Sequence, residues 1–414
     1  MNILFVHQSF PGQYRHILWA LAAQGGHRLV GLGIAELSEP LPQGVTYLRY
    51  GIARGNTPGL HEWLLDVDSK LIRGEACAAA AAQLRDQGFV PDLICAHPGW
   101  GEALFLRDVW PQVPLLCYQE FFYNARGVDY DFDPELQGVP DWQACARLRL
   151  KNANPLLMLQ ASSWNVTPTE FQRSTFPREW QSRISVIHDG IDTALAAPDP
   201  AADPLTLPDG TRISSGEPTI TFVNRRIEPY RGCHTFIRAI PELQRRHPQA
   251  RIVVVGGTEG VSYGKPAPGD SWKDVFVDEI AGRYNPERVH FTGSLAYGPF
   301  LQLLKLSACH VYLTYPFVLS WSLLEAMSTA LPIVGSATAP LQEVITHGET
   351  GLLVDFFSPD ALAEAVSTLL SDPPLAQRLG EQARQLVLER FSLQQCVPRQ
   401  LALMQLVASG ALAG

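Results

Sequence analysis

A chain of 414 residues is too long for one ordinary hydrophobic core and calls for about two domains. Apolar residues make up 46% and charged residues 18%, a balance that excludes an intrinsically disordered protein. The formal net charge of -9 excludes broad nucleic-acid binding, which needs a basic surface, but leaves room for a local anion site.

The N-terminal MNILFVHQSFPGQ has no basic start and only a short apolar run, unlike a secretory leader. No run of eighteen apolar residues follows, so no transmembrane helix is expected. The expectation is a cytoplasmic protein, with peripheral contact at the inner membrane left open. Seven cysteines, at 77, 95, 117, 145, 233, 309 and 396, form no C-x-x-C pair. They read as buried free thiols in a reducing compartment.

In chain order, residues 3–6 read as a buried strand, 14–24 as a helix ended by Gly25-Gly26, and 29–32 as a second strand. A long alanine-rich helical stretch covers 62–87 and stops at Gly88. Strands follow at 93–96, 115–118 and 165–167. Continuous apolar strands separated by helices specify a parallel sheet covered on both faces. The stretch 198–216 holds four prolines and little periodicity and reads as a linker. The alternation then restarts, with strands at 220–223, 251–255, 289–292, 311–314 and 333–335, and helices between them. The expected fold is therefore α/β, two Rossmann-like parallel-sheet domains facing across a cleft. The domain bounds are 1–190, a linker over 191–216, a second domain over 217–385, and C-terminal helices over 386–414 that could cross back to the first domain. Such sheets bind ligands beyond the carboxyl ends of their strands.

The strongest chemical signal is FVNRRIEPYRG (222–232). A strand runs into Arg225, Arg226 and Arg231, then a glycine and a helix, which is the layout of an anion site. In YPFVLSWSLLEAMSTALPIVGS (315–336) a helix begins near Ser320. The amides of Leu319, Ser320 and Trp321 are expected to serve a diphosphate. Glu325 sits in an otherwise apolar helix and needs a partner; a ribose diol or a structural ion pair would each supply one. In HQSFPGQYRH (7–16), Gly12 lets the backbone approach a phosphate or sugar, or simply makes a turn. AHPGWGE (96–102) puts His97 at a strand end facing the expected cleft, with Glu102 as a second polar candidate. YQEFFYNARGVDYDFDPE (118–135) mixes aromatics that stack on sugars with carboxylates that accept from hydroxyls. It reads as an acceptor-side loop carrying Glu120, Tyr123 and Asp129, or as a solvated surface loop. Asp129, Asp131 and Asp133 alternate but lack the glycine and glutamate spacing of a calcium loop, and no metal site is expected.

These segments resemble the family-four retaining glycosyltransferases of the GT-B fold (glycosyl transferases group 1). Arg225 and Arg231 match that family's diphosphate-clamping pair, and Glu325 matches the second glutamate of its Glu-x7-Glu motif, which holds the ribose. VHFTGSL (289–295), with Phe291, resembles the strand beside the nucleotide base. HDGID (188–192) and PLQEVITHGETGLLVD (340–355) resemble the family's hinge and closing segment. The family also places a histidine where His97 stands, at the reacting centre. The chain departs from the pattern at Phe317, where the first glutamate is expected, as in a distinct subgroup.

The resemblance implies a retaining hexosyltransferase. It would move a sugar from a nucleotide diphosphate donor, UDP favoured over GDP, to a glycan, lipid or protein acceptor. His97, Arg225 and Arg231 would be the catalytic groups, with no obligatory metal and no cofactor beyond the nucleotide-sugar substrate. Phe317 keeps open a noncatalytic nucleotide-sugar binder of the same fold. An epimerase is a further alternative. A phosphorylase is another, although Lys265, Lys273 and Lys305 show no pyridoxal motif.

Overall fold

The computed structural model describes residues 1–412. The chain divides into two compact units. The first comprises Met1–Asp131, Val139–Gly190 and the stretch beginning at Leu393; the second comprises Phe132–Gly138 and Ile191–Ser392.

The first unit is built on a seven-stranded parallel sheet: β1 (Asn2–Val6), β2 (Arg28–Gly33), β3 (Val45–Arg49), β4 (Leu93–Ala96), β5 (Leu115–Tyr118), β6 (Trp164–Thr167) and β7 (Ile184–Val186). The spatial order is β3-β2-β1-β4-β5-β6-β7. Ile3 registers with Leu29 on one side and Leu93 on the other. β1, β4 and β5 are almost wholly buried, because helices cover both faces. The helix Leu65–Asp86 contributes Cys77, Ala81 and Leu84 to one face. On the other, Ile17 and Leu18 pack with Leu403, Met404 and Val407 of the C-terminal helix Leu393–Ala408. The strand order reverses between β1 and β4, which opens a crevice at their carboxyl ends.

The second unit carries a two-stranded hairpin, β8 (Leu205–Thr206) and β9 (Arg212–Ile213). Its six-stranded parallel sheet is formed by β10 (Thr219–Arg226), β11 (Arg251–Gly257), β12 (Val289–Gly293), β13 (Cys309–Tyr312), β14 (Ile333–Ser336) and β15 (Leu352–Val354). The order is β12-β11-β10-β13-β14-β15, with the reversal between β10 and β13. The helix Cys233–Arg246 buries one face on the sheet. Phe236 stacks on Phe222 of β10 at 4.4 Å.

Three differences from the sequence reading have physical causes. The stretch 191–216 is part of the second unit rather than a linker. Ala196, Leu207 and Ile213 enter that unit's core one at a time, so the segment shows no periodicity. Strands β3, β7 and β15 lie at sheet edges, where burial is partial and patterns are mixed. β13 ends at Tyr312 rather than Thr314, and the chain beyond it turns towards the loop after β10.

That loop ends on Gly232, which has φ +69° and begins the helix Cys233–Arg246. A Cβ there would lie 2.4 Å from Leu313 Cβ. Gly232→Ala combines left-handed strain with overpacking and is expected to lower stability by about 2–4 kcal/mol, read as a shift in the urea midpoint.

Candidate active site

In the second unit the first candidate side chain stands at the reversal between β10 and β13. Arg231 lies in a single turn, Pro229–Arg231, and is buried with 8% exposure. Its Nη1 is 2.9 Å from Thr314 Oγ1, 2.8 Å from the Val318 carbonyl and 3.2 Å from Tyr312 Oη. Its guanidinium carbon lies 5.5 Å from the Tyr263 ring centre and 5.9 Å from that of Phe317. All of these partners are neutral. No carboxylate reaches ion-pair distance of Arg231 among the described residues. A buried cation held by neutral oxygens and aromatic faces keeps its full charge available for an anionic ligand.

Glu228 is the nearest acidic residue in the same loop. It is buried, and its Oε2 accepts from the Ser262 and Tyr263 amides at 2.6 and 3.2 Å. Burial pushes its carboxyl above the usual range despite those bonds. It thereby anchors the loop after β11 and sets Tyr263 beside Arg231. Arg225 is exposed and Arg226 half-buried; the latter folds over Gly257.

Phe317 is 2% exposed and packs edge-on against Tyr230 and Tyr263, at 5.5 and 4.8 Å. The position expected to hold a glutamate thus joins the aromatic surround of Arg231.

The helix Trp321–Ser328 is capped by Ser320, whose Oγ accepts from the Ser322 amide at 3.3 Å. The Ser320 amide, expected to be open to a phosphate, instead donates to Tyr312 Oη at 2.8 Å. The tyrosine ending β13 projects past the strand and satisfies it. The Leu319 amide stands outside both bonds, and Leu319 and Trp321 pack their side chains against the core.

Glu325 is buried, and its Oε1 accepts from Tyr297 Oη at 2.8 Å. Burial raises its carboxyl to about 7, only partly offset by Tyr297. Phe291 lies on β12, with Lys273 Nζ 5.5 Å from its ring centre.

In the first unit, β1 leads into His7 and β4 into His97, and the reversal between these strands brings the two rings to 5.2 Å. His97 is fully buried, stacked between Trp100 at 4.4 Å and Tyr118 at 5.4 Å. Its Nδ1 accepts from the Gly99 amide at 3.2 Å, which assigns the proton to Nε2. That Nε2 is buried without a hydrogen-bond partner, and Glu120 Oε2 lies 3.9 Å away. Burial, and then His7, hold His97 well below the usual imidazole range, so it is neutral at pH 7.

His7 accepts from the Ser9 amide through Nδ1 at 3.0 Å and donates to Gln13 Oε1 through Nε2 at 2.6 Å. Burial lowers it to about 4. Gly12 (φ +50°) is where a Cβ would lie 2.3 Å from the His7 ring. In this structure the glycine makes room for a histidine.

The other predicted residues of this unit separate. Glu102 is fully buried and accepts from Tyr50 Oη at 3.1 Å; burial raises it. Tyr123 exchanges backbone bonds with the Asn152 side chain and carries Lys151 Nζ 3.6 Å from its ring centre. Asp129 is buried near Lys151. Asp133 belongs to the second unit, where Tyr315 Oη donates to it and His234 Nε2 lies 3.3 Å away. The three alternating aspartates therefore do not converge, and no cluster of metal-ligating side chains occurs among the described residues. Tyr312, Thr314, Glu228, Tyr263 and His7 were missed. Tyr312 and His7 left the one available signal, a polar residue at the end of a buried strand.

Residues 25–196 match the family model described as glycosyl transferase family 4 group, and residues 206–386 match glycosyl transferases group 1. The chain is a glycosyltransferase of the GT-B fold. This glycosyltransferase is 27% identical to a glycogen synthase of Mycobacterium tuberculosis over 419 residues, 95% of this chain and 92% of that protein. Its fold is similar to that of sucrose-phosphate synthase from Thermosynechococcus elongatus, with a TM-score of 0.73 and 19% identity over 99% of each chain. It is also similar to Anabaena HepE in complex with UDP, with a TM-score of 0.68 and 17% identity over 98% of this chain and 100% of that one. No helix among the described residues is long and apolar enough to cross a membrane.

Glu325 gives a test of the site's electrostatics. Its folded-state value of about 7 lies above the ordinary 4.5, so the fold favours the protonated form. Stability is lost as pH rises between those two values and is level above 7. Glu325→Gln removes this loss. Relative to the parent, it is expected to gain about 2 kcal/mol of stability between pH 5 and pH 8, measured by urea unfolding at each pH.

Proposed function

We propose that this glycosyltransferase transfers a hexosyl group, with retention, from a nucleoside diphosphate sugar, UDP-linked in preference to GDP-linked, to a glycan, lipid or protein acceptor. The observation that carries the donor assignment is Arg231, a buried cation without a carboxylate at the strand reversal of the second unit. A diphosphate supplies the missing negative charge. Arg225, exposed near the end of β10, adds a second contact. UDP is favoured because UDP is bound in the structurally similar HepE and is the commoner partner in the family that the motifs resemble. Glu325, with one oxygen on Tyr297, keeps a second oxygen for a ribose hydroxyl. Phe291 is assigned to the base.

Transfer breaks the bond between the anomeric carbon and the diphosphate, and charge grows on the leaving phosphate. Arg231 and Arg225 stabilise that charge, and preorganised donors of this kind contribute ~3–4 kcal/mol each. We assign His97 to the sugar. Its Nε2–H is an unsatisfied buried donor, and a neutral imidazole donates to a hydroxyl without repelling an oxocarbenium-like centre. Glu120, at 3.9 Å from that nitrogen, serves the acceptor side, and Tyr123 and Asp129 are assigned to the same loop's acceptor role. The acceptor approaches the leaving-group face, and a leaving phosphate oxygen takes its proton. No obligatory metal enters this scheme.

The decisive experiment incubates the protein with a panel of UDP- and GDP-sugars and follows release of nucleotide and the anomeric configuration of the product. UDP release with retention is expected, and His97→Ala should cut turnover about 100-fold while the donor KM changes little. Tight UDP binding without release from any donor would replace this reading with a noncatalytic binder, the alternative that Phe317 motivates. Separately, Arg231→Ala is expected to weaken UDP binding about 100-fold and uridine binding hardly at all, by calorimetry. Equal losses would remove Arg231 from the diphosphate.

A further inference from the structure

The first unit displays two tryptophans that its core does not use. Trp142 is 71% exposed at the start of the helix Trp142–Lys151. Trp63, half-buried, stands 6.0 Å from it, ring centre to ring centre, with the planes at 77°. The two rings form an open right-angled corner. Neither is loosely placed. Asp141 caps the Trp142 helix by accepting from the Ala144 amide at 2.7 Å. The Trp63 amide donates to His61 Nδ1 at 3.2 Å, and the His61 ring packs edge-on against Trp63 at 5.1 Å. Val139, at 88% exposure, and Leu64 and Leu65 are exposed apolar residues close to these tryptophans in sequence.

The charges around the corner select among ligands. Glu62, Asp66 and Asp141 are exposed; Arg147 and Arg149 are exposed on the Trp142 helix, with Arg147 3.8 Å from Glu62, and Lys70 pairs with Asp66 at 2.8 Å. An anionic membrane surface requires an excess of Lys and Arg beside the aromatics, and on this rim acids and bases balance. A pyranose ring, by contrast, offers an apolar C–H face for an indole and hydroxyls that both donate and accept. Carboxylates interspersed with guanidinium groups suit such a ligand.

We propose that the Trp63–Trp142 corner is a glycan-binding site, and that the acceptor delivered to this glycosyltransferase is a glycan chain held there by one of its sugar units. The acceptor half of this inference rests on the transfer reading above; the binding half does not.

The test is affinity electrophoresis of the full chain through native gels containing glycogen, dextran or a soluble β-glucan, with sedimentation on vesicles containing phosphatidylglycerol in parallel. Retardation by at least one glycan is expected. Trp142→Ala should weaken it at least about tenfold, Trp142→Phe should largely preserve it, and UDP binding should be equal in all three proteins. Unretarded migration of the parent in every gel would overturn the proposal. Retardation indifferent to Trp142→Ala would do the same, and so would vesicle binding that depends on Trp142. A failure of the donor reading shows itself separately, as absent UDP binding with glycan retardation intact.

Discussion

The second unit depends on one constraint: a guanidinium must be kept charged inside a folded domain with no carboxylate at ion-pair distance among the described residues. Thr314, Tyr312 and the Val318 carbonyl meet that need from the segment after β13, while Arg231 itself arrives from the loop after β10. Two neighbouring parallel strands with opposite crossover directions leave a gap at their carboxyl ends, and the arginine fills it from the side. Gly232 makes this possible, because its left-handed backbone turns the chain into a helix where Leu313 leaves no space for a side chain.

The same constraint explains the surroundings. Tyr263 and Phe317 present ring faces to the cation rather than carboxylates, and Glu228 is turned away to bind the amides of the loop carrying Tyr263. Phe317 is therefore more than a lost glutamate. Its ring closes an aromatic layer with Tyr230 and Tyr263 beside Arg231. A glutamate there would neutralise part of the charge that a diphosphate is proposed to meet.

The first unit repeats the topological device with different chemistry. Its strand reversal juxtaposes His7 and His97, and burial keeps both neutral. One of them is satisfied by Gln13 and Ser9; the other keeps a buried Nε2–H without a partner. A donor left unsatisfied inside a protein is costly, and a ligand hydroxyl is the natural group to relieve it.

Much of this was legible in the sequence. Buried parallel strands announce themselves by continuous apolar runs, so β1, β4, β5, β10 and β11 were found close to their true bounds. The polar residues just beyond those runs, His97, Arg225 and Arg231, marked the strand ends. Edge strands such as β3 and β15 were not legible, because half-burial erases the pattern. What tertiary structure alone decided was pairing across long sequence separations. It placed Tyr312 on the Ser320 amide, the His7 ring against Gly12, and Glu102 under Tyr50. It also assigned Asp133 to the second unit and Asp129 to the first. Side-chain type and spacing determine which groups stand at a strand end. Which of them stay available is settled only when residues from distant strands compete for the same donors and acceptors.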